Sequence, residues 1–271
     1  MNENKSVFRS IEVSSSKYEC GGLKYITVKS KALKGRGDIS LYIPPSATAE
    51  NTPVVILLHG VYGSHWAWSM NGGAHIALEK LIEAGKVRPM ILAMPSDGLF
   101  GDGSGYLKHN TADYEKWITE DVMHAVMETT NLASQKSLLF ISGLSMGGYG
   151  ALRIGAKHSH KFRAISAHSS ITELSQMELF MEEEMAEFES LICEEEKSVL
   201  GIIIKNKGKL PPLRFDCGTE DILINQNREL SKQLTIEKIP HFYKEFPGKH
   251  EWLYWETHIN DSYLFFEANS Q

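Results

Sequence analysis

Few cysteines and no long apolar run occur in this chain of 271 residues. Its three cysteines, Cys20, Cys193 and Cys217, are an odd number and cannot form a disulfide framework, which favours a reducing compartment. No stretch approaches the ~18 consecutive apolar residues of a membrane span, and residues 1–7 lack the apolar core of a secretory signal. The sequence therefore predicts a cytoplasmic protein without a membrane partner.

A surplus of positive charge is also absent, which argues against a nucleic-acid-binding surface. The chain carries 28 Lys and Arg against 34 Asp and Glu, a formal net charge of -6, and no basic stripe with interleaved aromatic residues offsets this balance. Hydrophobic residues make up 42% of the chain, and the length suits one α/β domain over residues 1–271. We therefore predict no nucleic-acid partner, and composition leaves open whether the chain forms a homo-oligomer.

Loops typical of phosphate or calcium binding are missing as well. Residues 95–106 are rich in glycine, but they lack the Lys-Ser/Thr pair of a P-loop and the acidic spacing of an EF-hand. Because this segment follows an apolar, strand-like stretch, we interpret it as a loop beside a substrate pocket. The sequence predicts no cofactor and no metal site.

Eight strand-like stretches organise the chain, and from the third onward they alternate with helical segments. The stretches are 24–30, 39–43, 54–58, 90–94, 138–142, 164–167, 213–217 and 242–246. The helical segments between them include 73–84, 112–132, 148–157 and 224–234. This alternation predicts an α/β protein with a mostly parallel central sheet of about eight strands, flanked by helices on both faces. The first two strands can form an antiparallel edge.

One segment interrupts the alternation. Residues 172–210 contain no strand, and apolar residues at 177, 180, 181, 185, 188 and 191 mark one face of a helix. Such an insertion follows the carboxyl end of a strand, where α/β enzymes place their active sites. Two interpretations remain open, a lid that shapes the substrate pocket and a helix packed permanently on the domain.

A nucleophile elbow is indicated by the sequence Gly-Leu-Ser-Met-Gly at residues 143–147, between an apolar strand and a helix rich in small residues. This turn holds a residue other than glycine in a strained conformation that exposes its hydroxyl group. Ser145 is therefore the predicted nucleophile.

The partners of Ser145 follow from chain order, which in hydrolases with this elbow is serine, then an acid, then histidine. Asp221 lies in a glycine-broken loop after the predicted strand 213–217, and the adjacent Glu220 is the alternative acid. His250 is the downstream histidine that lies in a loop, directly after a strand and a Pro-Gly pair. A serine hydroxyl needs an imidazole to accept its proton and a carboxylate to orient the imidazole, so these residues are the predicted catalytic triad.

An oxyanion hole needs two backbone N–H donors, one directly after the nucleophile and one in the loop after an earlier central strand. These are Met146 and Val61, with Tyr62 as the alternative to Val61. The predicted substrate-binding residues are His59, Tyr62, Trp66, Trp68 and Asn71. His59 also fits a role in bracing the oxyanion loop, and core packing explains Trp66 or Trp68 equally well.

Four motifs together resemble one family. Residues 58–63, 143–148, 217–221 and 248–252 have the order and separation found in the putative esterase family, which includes tributyrin esterases, esterase D (S-formylglutathione hydrolase) and microbial feruloyl and acetylxylan esterases. The resemblance spans about residues 38–265. It implies an α/β-hydrolase fold, serine carboxylesterase chemistry and no cofactor, and it assigns the same triad and oxyanion residues.

The expected function is hydrolysis of a short-chain or carbohydrate-linked acyl ester, a small-molecule substrate, through an acyl-enzyme on Ser145. S-formylglutathione (thioester) hydrolysis is the close alternative. An acyltransferase uses the same acyl-enzyme with an alcohol acceptor, and a non-catalytic ligand-binding protein of this fold is the alternative of another class.

Overall fold

A nine-stranded sheet forms the centre of the protein in the computed structural model, which describes residues 6–183 and 192–271. The strands lie in the order β1-β2-β3-β5-β4-β6-β7-β8-β9. Their bounds are β1 Ile11–Val13, β2 Leu23–Lys29, β3 Arg36–Tyr42, β4 Val54–Leu58, β5 Ile91–Pro95, β6 Leu139–Leu144, β7 Ala164–His168, β8 Leu213–Gly218 and β9 Phe242–Phe246. Strands β1 to β3 pair antiparallel and β3 joins β5 antiparallel, whereas the rest are parallel.

This topology confirms the expected α/β-hydrolase fold, including its antiparallel edge. All eight predicted strands are present. The ninth, β1, has three residues and pairs with β2 through Ile11 opposite Val28. Its sequence, Ile-Glu-Val, alternates apolar and polar residues, but three residues are too few for that alternation to indicate a strand, so the sequence pattern did not predict it.

Helices cover both faces of the sheet, and each of the four predicted helical segments, 73–84, 112–132, 148–157 and 224–234, overlaps one or more of them. Their bounds are α1 Ala67–Met70, α2 Ala74–Glu83, α3 Tyr114–Lys116, α4 Val122–Thr129, α5 Met146–Lys157, α6 Val199–Lys205, α7 Ile224–Ile236 and α8 Trp252–Ala268. A π-helical turn at Trp117–Asp121 joins α3 to α4 within the predicted helix 112–132. None of the helices that the structure describes is both long and apolar enough to cross a membrane.

Two apolar cores lie on opposite faces of the sheet, and β4 contributes to both. All five of its side chains are fully buried. Val54, Ile56 and Leu58 belong to the core beneath α4 and α5, whereas Val55 and Leu57 belong to the core beneath α2 and α8. Successive side chains of a strand point to opposite faces, so a continuous apolar run is what a strand covered on both sides requires.

A buried charged cluster lies next to β7 and β8. The Asp216 carboxylate accepts hydrogen bonds from Arg214 at 2.5 Å, from the Tyr254 hydroxyl at 2.9 Å and from His168 Nδ1 at 3.0 Å. Burial alone raises the pKa of Asp216, but the charges of His168 and Arg214 outweigh burial and lower the pKa to about 2. Because the cluster is buried away from water, each of these charges is stabilised by its charged and hydrogen-bonding partners instead of by solvent.

We expect Asp216→Asn to lower the free energy of unfolding by about 3–5 kcal/mol, because Arg214 then stays buried without its counter-charge. The carboxylate's pKa is depressed in the folded state, so its stabilisation is present above about pH 4 and is lost as the pH falls towards 2. Urea unfolding at pH 7 and at pH 3 measures both effects.

The matched control is Asp261→Asn, since this carboxylate pairs with His258 but is 38% exposed. Its loss is expected to cost less than about 1 kcal/mol. Equal destabilisation by the two substitutions would contradict the role given to the buried cluster.

Candidate active site

Ser145 lies in a strained turn between β6 and α5. Its backbone angles φ and ψ are 53° and -120°, a conformation that residues other than glycine rarely adopt. A Cβ atom at Gly143 would overlap the backbone of Gly147, and one at Gly147 would overlap the Leu58 carbonyl group. Glycine is therefore required on both sides of Ser145, and the strain is of the kind that functional sites store.

Three side chains form a hydrogen-bonded chain at the carboxyl edge of the parallel strands. His250 Nε2 lies 3.0 Å from Ser145 Oγ, and His250 Nδ1 lies 2.9 and 3.0 Å from the two oxygens of Asp221. Ser145 follows β6, Asp221 follows β8 and His250 follows β9. The geometry brings together the three residues of the predicted triad.

Asp221 is held as an acceptor. The side chain is buried, and its Oδ1 also accepts the Leu223 N–H at 2.8 Å. Burial raises the pKa of Asp221, but the hydrogen bond and charge of His250, together with the Leu223 N–H, lower it below its ordinary value. The alternative acid, Glu220, is exposed and supplies no hydrogen bond to His250. The geometry favours Asp221 as the acid.

The backbone around Val61 distinguishes the two oxyanion alternatives. The Tyr62 N–H donates to the Asp102 carbonyl at 2.9 Å and is thus already engaged. The Val61 N–H has no acceptor among the residues that the structure describes, and Val61 lines the same cavity as Ser145. Met146 is the first residue of α5, where backbone N–H groups lack intrahelical partners. This arrangement favours Val61 and Met146 as the two donors.

Two predicted substrate-binding residues lie behind the cavity wall instead. His59 is 2% exposed; its Nδ1–H donates to the Gly60 carbonyl at 2.7 Å, and its Nε2 accepts the Asp97 N–H at 3.0 Å. Burial lowers the pKa of His59 and keeps it neutral. Trp68 is 1% exposed and donates to the Leu58 carbonyl at 2.9 Å. We correct the interpretation of both, because their polar atoms brace the oxyanion loop rather than face a substrate.

A cavity of about 490 Å³ opens over Ser145. The other three predicted substrate-binding residues, Tyr62, Trp66 and Asn71, line it. Among the other lining residues, those with large side chains beyond the elbow, the oxyanion loop and His250 were not predicted as substrate-binding; they are Phe180, Glu251, Trp252 and Trp255. Three of these follow His250 within five positions, so proximity to the predicted histidine was an available signal.

The insertion contributes directly to the cavity. Phe180 stacks on the His250 ring at a centroid distance of 4.8 Å and an interplanar angle of 27°. The Glu182 N–H donates to Asp102 Oδ2 at 2.7 Å, and the Tyr62 hydroxyl donates to the same oxygen at 3.2 Å. The Asp102 carboxylate thus ties the insertion to the oxyanion loop.

The predicted α-helix of the insertion is corrected in part. Leu174–Leu179 forms a 3₁₀ helix, and no helix spans residues 180–183. Its predicted continuation over 184–191 lies outside the described residues. Later parts of the insertion form a 3₁₀ turn at Glu194–Glu196 and helix α6.

Residues 30–266 match the family described as "Putative esterase". The chain belongs to this esterase family. An acetyl esterase from Caldicellulosiruptor saccharolyticus is 28% identical over 79% of this chain and 83% of that relative. An S-formylglutathione hydrolase from Bos taurus is 27% identical over 59% of this chain and 61% of that relative. A solved ferulic acid esterase has a TM-score of 0.78 at 22% identity, covering 96% of this chain and 99% of that one.

Membership of the esterase family establishes the reaction class, since the chain is a hydrolase that acts on a small-molecule ester. The names of the relatives differ in their substrates, so the family leaves both the acyl group and the leaving group open. Within residues 6–183 and 192–271, no group of three or more His, Cys, Asp or Glu side chains is placed to hold a metal ion.

Proposed function

We propose that this esterase hydrolyses short-chain or carbohydrate-linked acyl esters through an acyl-enzyme on Ser145. The observation that carries the proposal is the continuous hydrogen-bonded chain from Ser145 through His250 to Asp221 beside the cavity. The 3.0 Å distance between His250 Nε2 and Ser145 Oγ is within the hydrogen-bond reach that proton transfer during attack requires.

The reaction proceeds in two halves. Ser145 Oγ attacks the ester carbonyl carbon while His250 Nε2 takes the hydroxyl proton, and Asp221 stabilises the resulting imidazolium. His250 then gives this proton to the departing alcohol, which leaves the acyl group on Ser145. Water attacks the acyl-enzyme with His250 again as the base, and the carboxylic acid and free Ser145 are released.

The Val61 and Met146 N–H groups donate hydrogen bonds to the carbonyl oxygen as it becomes negatively charged. Fixed backbone donors of this kind contribute about 3–4 kcal/mol each to transition-state stabilisation. The strained turn at Ser145 and the braced loop at His59 hold the two donors in place before substrate arrives.

The size and aromatic lining of the cavity suit a compact or planar substrate. Trp66, Trp252 and Trp255 provide flat apolar faces on which a sugar ring or a phenolic acyl group can stack. Phe180 covers His250, and we propose that the 172–210 insertion of this single domain acts as a lid.

Hydrolysis of S-formylglutathione is the second candidate, because relatives with that name match 59% of this chain. An acyltransferase would use the same acyl-enzyme, and product analysis with and without an alcohol acceptor distinguishes it. We also propose a cytoplasmic location, in keeping with Cys20, Cys193 and Cys217, which are free thiols.

A side-by-side substrate panel tests the proposal. The panel contains p-nitrophenyl acetate, butyrate and octanoate, methyl ferulate and S-formylglutathione, each with the native protein and with Ser145→Ala. We expect serine-dependent turnover that is fastest on the short-chain or feruloyl esters. Selective turnover of S-formylglutathione would favour the second candidate, and no turnover of any substrate by folded protein would contradict both.

A further inference from the structure

The cavity over Ser145 has an uneven charge distribution. Glu251 lines it, whereas no Lys or Arg does so among the residues that the structure describes. The Glu251 carboxylate is exposed and makes no capping hydrogen bond to α8, although Glu251 is the residue from which that helix begins. Lys249 is exposed and does not line the cavity. An approaching substrate therefore meets a carboxylate that no lining cation offsets.

Further negative charge lies behind Tyr62, which lines the cavity, although Asp102 itself does not. Asp102 accepts the Tyr62 hydroxyl, and the Glu182 N–H binds the same Asp102 oxygen. Partial desolvation raises the pKa of Tyr62, and the nearby Asp102 and Glu182 carboxylates raise it further. The Asp102 and Glu182 charges therefore act at Tyr62, on the side of the cavity that the oxyanion loop forms.

Aromatic rings complete the lining. Trp252 and Trp255 lie 5.3 Å apart with an interplanar angle of 89°, so they present a face and an edge. Trp66 is 42% exposed at the same cavity. Ring faces attract cations and stack on neutral groups, and a nearby carboxylate strengthens the attraction for a cation. Neither the ring faces nor the Glu251 carboxylate offers a favourable contact to an anion.

We propose that this site selects esters whose alcohol portion is uncharged or positively charged, and rejects those with an anionic leaving group. This inference rests on the proposed function. Glutathione thioesters carry a net negative charge at neutral pH, so the selection also acts against the S-formylglutathione alternative. A cationic group on the leaving alcohol is drawn towards Glu251 and the tryptophans, whereas a carboxylate is repelled by Glu251 and Asp102.

Three phenyl acetates with one acyl group and different charge test the proposal. Their meta substituents are trimethylammonium, tert-butyl, which is its neutral isostere, and carboxylate. Each kcat/KM is divided by the ester's own alkaline hydrolysis rate, which corrects for leaving-group reactivity. We expect the corrected value for the cation to exceed that for the anion by about tenfold at low salt. Added salt is expected to shrink this ratio, because it screens exposed charges.

A pair of variants locates the effect. Glu251→Gln is expected to lower the cation-to-anion ratio about threefold. Glu256→Gln, which removes an equal charge from an exposed position of the same helix outside the cavity, is expected to leave the ratio unchanged. A ratio near one, a preference for the anion or equal effects of the two variants would overturn the selection rule. Absence of serine-dependent turnover on all three acetates would overturn the proposed function itself.

Discussion

Ser145→Ala is expected to lower kcat/KM for p-nitrophenyl acetate by about 10⁵ to 10⁶-fold, because the variant lacks the hydroxyl group on which we propose that the acyl-enzyme forms. Substrate affinity is expected to change little, since the cavity walls stay in place. Residual hydrolysis reflects only the oxyanion donors and binding. Initial rates at several substrate concentrations, with circular dichroism to verify the fold, measure the loss.

The chain offers a close control in Ser231. Its hydroxyl lies 2.9 Å from His241 Nε2, so it forms a second serine-histidine pair, but this pair is outside the cavity. His241 Nδ1 bonds the Ile239 carbonyl rather than a carboxylate. Ser231→Ala is expected to retain activity within about twofold. A comparable loss in the two variants would remove Ser145 from its proposed role.

Asp221→Asn is expected to lower kcat by about 10⁴-fold with the geometry intact. An amide NH₂ group next to Nδ1 favours the tautomer that carries its proton on Nε2, and that nitrogen can no longer accept from Ser145. The charge that stabilises the imidazolium is lost as well. Steady-state kinetics separates this loss in kcat from any change in KM.

Glu220→Gln is the matched control, since it changes the neighbouring carboxylate in the same way. Glu220 is exposed, and we expect its variant to stay within about threefold of the native rate. A severe loss in Glu220→Gln with a nearly silent Asp221→Asn would reverse the choice of acid. The double variant Ser145→Ala with Asp221→Asn is expected to be no slower than Ser145→Ala alone, because the triad acts as a unit.

The fold and the contact between Ser145, Asp221 and His250 could be predicted from chain order and local sequence pattern. The apolar strands, the glycines beside Ser145 and the Pro-Gly break before His250 are local signals, and each has a direct steric reason. Since the carboxyl ends of parallel strands share one edge, placing each residue after its strand was enough to bring them together.

The sequence could not predict the position of residues that depend on contacts between segments distant in the chain. Phe180 reaches His250 from the insertion, 70 positions away in the chain, and no periodicity encodes that contact. Likewise, the inward direction of His59 and Trp68 depends on which acceptors the folded loop provides. The sequence assigned Val61 ahead of Tyr62, but the contact that engages the Tyr62 N–H is with the Asp102 carbonyl, which belongs to another loop.

Labelling with a fluorophosphonate, followed by peptide mass spectrometry, tests the central claim most directly. The reagent phosphonylates a serine only where a base activates it and an oxyanion hole stabilises the adduct. We expect one phosphonyl group on the peptide that contains Ser145, and much slower labelling in His250→Ala. A label on a different residue, or an unlabelled Ser145 in folded native protein, would contradict an acyl-enzyme mechanism at this site.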